Sequence, residues 1–186
     1  MMFVLPTLTS ERLRLRWLIE ADIPALFAIF SDPLVMRYWS SLPMIDLAEA
    51  GRLLASIQNA GRRGEFYQWG IEPIDGGGIV GTVTLRYITT VHQRAEIGFA
   101  LGSAHQGKGL AREALALVLD HAFGPMGLFR IEADVDPRNS ASLGLLERLG
   151  FRREGLLRSR FLVGGERCDS VILGLHRDEW SGAAAT

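Results

Sequence analysis

Alternating apolar and polar side chains mark the first regular element of the chain. From residue 12 to residue 17, leucine or tryptophan alternates with arginine, which is the two-residue period of a strand with one face on a core. Residues 23–30 then have helical spacing, with Pro24 in the first turn, where its missing N–H is tolerated. Asp46 followed by Glu49 predicts a capping box at the start of a second helix, which Gly61 closes.

Downstream, the pattern changes to strands and then alternates between helix and strand. The spacing predicts strands over residues 66–72, 79–85, 95–101, 130–135, 151–157 and 171–175, and helices over residues 110–123 and 140–149. The glycines at 76–78 permit the positive φ angles of the turn between the first two of these strands. This order predicts one α/β domain over residues 1–186 with a mixed sheet, and a frayed tail after about residue 180.

Composition and charge narrow the function classes. A net charge of -1 gives no overall field for nucleic acid or an anionic membrane. The apolar run from Phe3 to Leu5 is broken by Pro6 and too short for a signal peptide, and no stretch approaches the ~20 apolar residues of a membrane helix. The single Cys168 excludes an internal disulfide and leaves no cysteine cluster for a metal. We therefore expect a cytoplasmic protein without a metal cofactor.

A glycine-containing loop joins a predicted strand to the helix at residues 110–123. Glycines before a helix let the backbone approach an anion, at which the first N–H groups of the helix point. The alternative is that Gly107 and Gly109 only turn the chain. A Walker loop requires Ser or Thr after Lys108, and a dinucleotide fingerprint requires a small residue at Arg112, so neither motif fits.

The spacing Gln106-x-x-Gly109-x-Ala111 is similar to a third kind of loop, one that binds coenzyme A. It resembles the Gln/Arg-x-x-Gly-x-Gly/Ala signature of the GNAT superfamily of N-acetyltransferases. A second segment, Asn-x-x-Ser at 139–142 followed by Glu-Arg-Leu-Gly-Phe at 147–151, is similar to the branch typified by the ribosomal-protein N-terminal acetyltransferases (RimJ/RimL-like).

The resemblance implies a fold, a cofactor and a set of binding residues. The fold is a single GNAT-like α/β (α+β) domain, whose twisted, mixed, mostly antiparallel sheet is flanked by helices and has splayed central strands at 95–101 and 130–135. Acetyl-CoA lies in the gap, where Gly98 and Ala100 leave room for its pantetheine arm; otherwise these small residues only pack against a helix. The residues assigned to the cofactor are Phe99, Ala100, Leu101, Gln106, Gly107, Lys108, Gly109, Leu110, Ala111, Arg112, Asn139 and Ser142.

The implied reaction passes the acetyl group directly from the thioester to a primary amine. An α-amino group with a pKa of ~8 must first lose a proton, and Glu96 is the candidate base, directly or through a water; otherwise it is a strand-end carboxylate. A backbone N–H near Phe99 or Ala100 is the expected oxyanion donor. Many relatives protonate the thiolate with a tyrosine at the position of Leu146. Ser142 is the candidate here, unless it only caps its helix.

The acceptor and the rival functions remain open at this level. Tyr38 and Trp39 are the candidate acceptor-binding residues, from a set that also includes Tyr67, Trp69, Arg86 and Tyr87. The amine is either a protein or peptide N-terminus or a small molecule. Cys168, in a glycine hairpin predicted to lie far from the motifs, is not expected to act. The alternatives are a non-catalytic acyl-CoA-binding regulatory module and, more distantly, an NAD-dependent oxidoreductase; relatives also make a homodimer plausible.

Overall fold

The computed structural model describes residues 5–64 and 66–182. Within these residues, eight strands form one sheet in the order β1-β2-β3-β4-β5-β6-β8-β7. Neighbouring strands are antiparallel except for β5 and β6, which are parallel. The strands are β1 (Leu8–Thr9), β2 (Leu13–Trp17), β3 (Phe66–Pro73), β4 (Gly81–Thr89), β5 (Arg94–Leu101), β6 (Arg130–Val135), β7 (Arg152–Val163) and β8 (Glu166–His176). The prediction of a mixed, mostly antiparallel sheet is confirmed.

Helices lie on both faces of this sheet. They are α1 (Ile23–Phe30), α2 (Pro33–Met36), α3 (Leu47–Arg62), α4 (Leu110–Phe123) and α5 (Ser140–Arg148). At the start of α3, Asp46 Oδ1 accepts a hydrogen bond from the Glu49 N–H at 2.8 Å, as the capping pattern predicts. The Glu49 carboxylate, however, accepts from the N–H of Ile45 rather than of Asp46.

Two groups of buried side chains form the core. The larger group packs α4 and α5 against the sheet, and the smaller one packs α1 and α3 against it. Successive residues of a strand point to opposite faces, and accordingly Ile97 and Leu101 belong to the larger group whereas Ala100 belongs to the smaller one. The face of β5 that carries Glu96, Gly98 and Ala100 is therefore the one that α1 and α3 partly cover.

The structure differs from the sequence pattern mainly near the ends of the chain. Strands β7 and β8 extend into a long hairpin, well beyond the predicted ranges of 151–157 and 171–175. The short strand β1 and the single-turn helix α2 were not predicted; Asp32 caps α2 by accepting from the Leu34 N–H at 2.8 Å. Phe3 and Val4 lie outside the described residues, as does the end of the tail after residue 182.

Candidate functional site

The sheet opens into a fork at Glu96. Strand β5 pairs with β6 only over Arg94–Glu96 and Arg130–Glu132. Beyond these positions β5 remains paired with β4, and β6 with β8, but the two strands separate. The splayed pair predicted at 95–101 and 130–135 is thus present. A cleft of about 480 Å³ occupies the fork.

Glu96 lies at the apex of the fork, and its side chain is 14% exposed. Arg86, directly opposite on β4, donates from both Nε (2.8 Å) and Nη2 (2.5 Å) to the same oxygen, Glu96 Oε1. Burial raises the pKa of Glu96 above its ordinary value, although Arg86 opposes this rise; Asp134 and Glu132 add to it. A carboxylate with a raised pKa inside a cleft is suited to accept a proton near neutral pH.

The residues of β5 beyond the fork have different surroundings. A Cβ at Gly98 would meet no atom within 4 Å, so this glycine opens onto the cleft, which Phe99 also lines. Ala100 and Leu101 are instead buried, at 3% and 7% exposure. Open space for a pantetheine arm therefore lies at Gly98 rather than at the Ala100 side chain, whose methyl group packs against the α1 and α3 side of the sheet. A cofactor contact of Ala100 through its backbone stays a prediction.

The predicted phosphate loop joins β5 to α4 with its glycines in the left-handed region. Gly107 and Gly109 have φ values of 74° and 77°, and α4 begins at the next residue, Leu110. The Gln106 side chain donates to the Leu101 carbonyl at 3.0 Å and so braces the turn. Arg12 donates to the Lys108 carbonyl at 3.2 Å. The loop itself does not line the 480 Å³ cleft.

Arg112, in the first turn of α4, carries an unsatisfied donor. Its Nε is buried without a hydrogen-bond partner, and it is the one such side-chain nitrogen or oxygen within residues 5–64 and 66–182. An unpaired buried donor costs about 1–3 kcal/mol, so it is usually satisfied by a ligand or a water. The two left-handed glycines at the N-terminus of α4 fit a bound anion, and Arg112 is the third residue of this helix.

Helix α5 contributes the third side of the cleft. Asn139 is its N-cap, since its Oδ1 accepts from the Ser142 N–H at 3.1 Å. Asn139, Ser142 and Leu146 all line the cleft, and Leu146 is fully buried. No hydrogen bond of the Ser142 hydroxyl occurs among the described residues, so this side chain is available to a ligand. The cap explains why Asn stands at this position without excluding a second contact.

Aromatic and acidic side chains also line the cleft. Tyr38 and Trp39 lie in its wall, and Trp39 packs edge to face on Phe30 with ring centroids 5.3 Å apart. Of the other aromatic residues considered above, Trp69 is fully buried in the core and does not reach the cleft. The placement of Tyr38 and Trp39 is compatible with acceptor binding, which stays a prediction.

Sequence reasoning missed most of the acidic residues in this wall. The lining carboxylates are Glu49, Glu96, Asp134, Asp136 and Asp169. A signal was present in β6 and just beyond it, where acidic residues at 132, 134 and 136 alternate with the buried Ile131, Ala133 and Val135. Such alternation places the acidic side chains together on one face, away from the core.

The expected remoteness of Cys168 is also wrong. The β7–β8 hairpin folds over the cleft, so Cys168 lines the same space as Asn139 and Ser142, with its Sγ 3.5 Å from Arg138 Nη2. The hairpin tip in turn touches the segment between α2 and α3, because a Cβ at Gly164 would lie 3.3 Å from the Leu42 side chain. The length of β7 and β8, which periodicity underestimated, produces this closure.

No three or more His, Cys, Asp or Glu side chains of the described residues come together as metal ligands would. None of the helices in these residues combines the length and the apolar character needed to cross a membrane.

Comparison with known proteins gives a consistent result. Residues 12–152 match the family model described as Acetyltransferase (GNAT) domain. The uncharacterized N-acetyltransferase p20 of Bacillus licheniformis is 35% identical over 176 residues, which cover 95% of this chain and 99% of that protein. Mycobacterium smegmatis RimJ, solved with CoA-disulfide, is 30% identical with a TM-score of 0.82, covering 93% of this chain and 86% of that one.

A third relative was solved with both a cofactor and an amine. Spermidine N-acetyltransferase from Vibrio cholerae, in complex with CoA and spermine, is 25% identical to this chain. The TM-score is 0.81, and the match covers 91% of this chain and 98% of that one.

Proposed function

This chain belongs to the GNAT acetyltransferase family and is an acetyl-CoA-dependent N-acetyltransferase, and we propose that its acceptor is a small polycationic amine of the polyamine class. The observation that carries this proposal is the acidic wall of the cleft. Among the described residues that line the cleft, five carboxylates face one arginine, Arg86. Membership of this family argues against the alternative of a non-catalytic module, because the named relatives are transferases. We further propose that residues 1–186 form a single transferase domain.

In this proposal, the phosphate end of acetyl-CoA lies at the glycine loop and its thioester end lies in the cleft. Gly107, Gly109 and the unpartnered Arg112 Nε would hold its phosphates at the start of α4. Gly98, with open space above it, would admit the pantetheine arm along the unpaired edge of β5. Asn139 and Ser142 lie beside this path, so the thioester end would reach the fork.

The chain's own residues then divide the proton chemistry. Glu96 would accept the proton that the acceptor ammonium must lose before its nitrogen can attack, and the solvent takes that proton afterwards. The nitrogen loses a second proton as the amide forms, and the Ser142 hydroxyl would relay it to the departing thiolate, taking up one proton as it gives one; the conjugate thiol has an ordinary pKa of ~8.5. Leu146 has no donor and takes no part in this step.

The charges of the acceptor wall favour more than one positive group on the acceptor. Arg86 pairs with Glu96, and Arg138 pairs with Asp136 at 2.7 Å. The remaining carboxylates have weaker or uncharged partners. Asp134 accepts from the Ser170 hydroxyl and lies 3.6 Å from Arg160 Nε. Asp169 accepts from the Ser159 N–H, and Glu49 lies 3.8 Å from Arg52 Nη2. A cleft of one charge sign attracts ligands of the opposite sign.

The test is thiol release from acetyl-CoA with a matched panel of acceptors. The panel contains spermidine, spermine, a monoamine of similar length, a peptide with a free N-terminus and its N-blocked form. We expect kcat/KM to be highest for the triamine and tetraamine and to fall with added salt, because exposed charge attraction is screened. A monoamine used as well as spermidine would contradict the polycation proposal.

Asp134→Asn tests whether a carboxylate of the cleft contributes to binding of the acceptor through its charge. The substitution keeps a side-chain oxygen for Ser170 and removes one charge, so we expect KM to rise for spermidine, to rise less for the monoamine, and to stay unchanged for acetyl-CoA. Asp178→Asn, at a carboxylate that is 75% exposed and outside the cleft, is the matched control and should change none of these values. Equal effects on spermidine and the monoamine would argue against Asp134 as a charge-recognition residue.

A protein N-terminus is the second candidate acceptor. The similarity to Mycobacterium smegmatis RimJ and the Asn-x-x-Ser segment at 139–142 favour it and the RimJ/RimL-like branch. The free and N-blocked peptides in the panel separate this candidate from the polyamine, because only the free peptide carries an acceptor at its terminus.

A further inference from the structure

Arg86 holds the candidate base in an unusual way. Its Nε and Nη2 both donate to Glu96 Oε1, at 2.8 and 2.5 Å. A bidentate Arg–carboxylate pair normally engages both oxygens. Here, no described residue donates to Glu96 Oε2, and Glu96 lines the cleft. One oxygen is therefore fixed by the protein, and the other is left for the contents of the cleft.

The backbone around Arg86 keeps the guanidinium at the apex of the fork. The regular β4–β5 register ends at the Arg86–Glu96 pair and shifts before Thr89. Tyr87, the first residue of this irregularity, has a φ of 53°, which is strained for a residue other than glycine. Its ring lies 5.3 Å from Arg86 Cζ. Bulges next to active sites commonly re-aim a side chain, and this one ends the ladder where the cleft begins.

We infer that Arg86 is a positioning residue for the transfer reaction: it fixes Glu96 through Oε1 so that Oε2 alone accepts the proton of the acceptor ammonium. This inference rests on the proposed function, in which Glu96 is the base. It adds a named partner that sets both the orientation and the ionisation of that base. The proton moves from the ammonium nitrogen to Oε2 and then to solvent, so no further reactant is required.

The charges around Glu96 determine the direction in which its pKa would move if Arg86 were removed. Arg86 faces it from β4, and Asp134 and Glu132 face it from β6. Glu132 is itself paired with Arg94 and Arg130, each at 2.9 Å. Arg86 thus supplies the cation that favours the ionised form of the buried Glu96 and opposes the rise of its pKa. Because the base must be ionised to act, removing Arg86 should move the acid limb of the activity profile to higher pH.

The experiment compares the pH dependence of kcat/KM for spermidine at saturating acetyl-CoA. The variants are Arg86→Gln, which removes the charge, Arg86→Lys, which keeps the charge but loses the paired donors, and Glu96→Gln. We expect the acid midpoint of Arg86→Gln to rise by about one pH unit or more, since an opposite charge at this range lowers a carboxyl pKa by about 1–3 units. Arg86→Lys should shift less, and Asp134→Asn should shift the midpoint downward.

A second readout does not depend on turnover. Carbon-13 NMR titration of the glutamate carboxyl groups, with Glu96→Gln identifying the Glu96 signal, should report the same upward shift in Arg86→Gln. Thermal melts establish whether each variant is folded. If Arg86→Gln does not fold, Arg86→Lys is used in its place to test the shift of the midpoint.

Each failure has a different pattern. An unchanged midpoint in Arg86→Gln, with only a lower plateau, would overturn the positioning role while leaving Glu96 as the base. Full activity of Glu96→Gln would remove Glu96 from the reaction and overturn the inference with it. Absence of thiol release by the wild-type protein with every amine would overturn the proposed function itself.

Discussion

Replacing Gly98 with valine should weaken acetyl-CoA binding by about a hundredfold or more without weakening the fold. A Cβ at this position meets no atom within 4 Å, and the position lines the cleft at the fork of β5 and β6. Valine also suits a strand better than glycine, on a scale that spans about 1 kcal/mol. The ligand-free protein should therefore be as stable as the wild type or slightly more stable, while its methyl groups occupy the space proposed for the pantetheine arm.

The size of the effect follows from binding linkage. Acetyl-CoA at a hundred times its Kd should stabilise the wild type by about 2.7 kcal/mol. At roughly 2–4 °C per kcal/mol for a chain of this size, the melting temperature rises by roughly 5–11 °C. A hundredfold weaker Kd in Gly98→Val would leave RT ln 2, about 0.4 kcal/mol, at the same ligand concentration.

Thermal melts with and without acetyl-CoA measure both halves of this prediction. Gly155→Val is the matched control, because Gly155 also lies in a strand, β7, with nothing within 4 Å of its Cβ, but it does not line the cleft. It should keep the full ligand-induced shift. A full shift in Gly98→Val, or a marked loss of its ligand-free stability, would refute the proposed path of the cofactor.

Two further variants test the phosphate loop and the core. Arg112→Met should weaken acetyl-CoA binding by about tenfold or more, since a charged hydrogen bond contributes about 1.5–3 kcal/mol. The ligand-free protein should be as stable as the wild type or more stable, because an unpaired buried donor is removed; an unchanged Kd by calorimetry would contradict this. Arg16→Met should lower the free energy of unfolding in urea by about 3 kcal/mol, because the buried Asp22 loses its arginine partner and Glu72 keeps only Arg14. Burial raises the pKa of Asp22, but hydrogen bonds from Arg16 and the Ile19 N–H outweigh it; Arg16 likewise lowers that of Glu72. A carboxyl group whose pKa is lowered by folding stabilises the folded protein at pH values above its unfolded pKa of ~3.9–4.3, and this stabilisation is lost as the pH falls. The difference in free energy of unfolding between the wild type and Arg16→Met should therefore shrink below about pH 4. A difference that stays constant with pH would refute the pairing.

Much of the fold could be predicted from the sequence because its signals are local. Periodicity and caps predicted α4 and β6 with their observed bounds, and Asp46 marked the start of α3. The limits of β7 and β8 were underestimated because this hairpin is largely exposed along β7. An exposed edge strand has no buried face, so it lacks the alternation by which strands are recognised.

The family, the position of the glycine loop and the start of α5 could be recognised from the sequence, since each depends on a few residues at fixed spacing. Only the tertiary structure decided what faces the acceptor. Asp134 and Cys168 reach the cleft because β6 leaves β5 at the fork and the β7–β8 hairpin folds across it. Ala100 shares a face of β5 with Glu96 and Gly98, but its methyl group is covered by the core that α1 and α3 form with the sheet. These are contacts between segments far apart in the chain, and local patterns carry no information about where such segments meet.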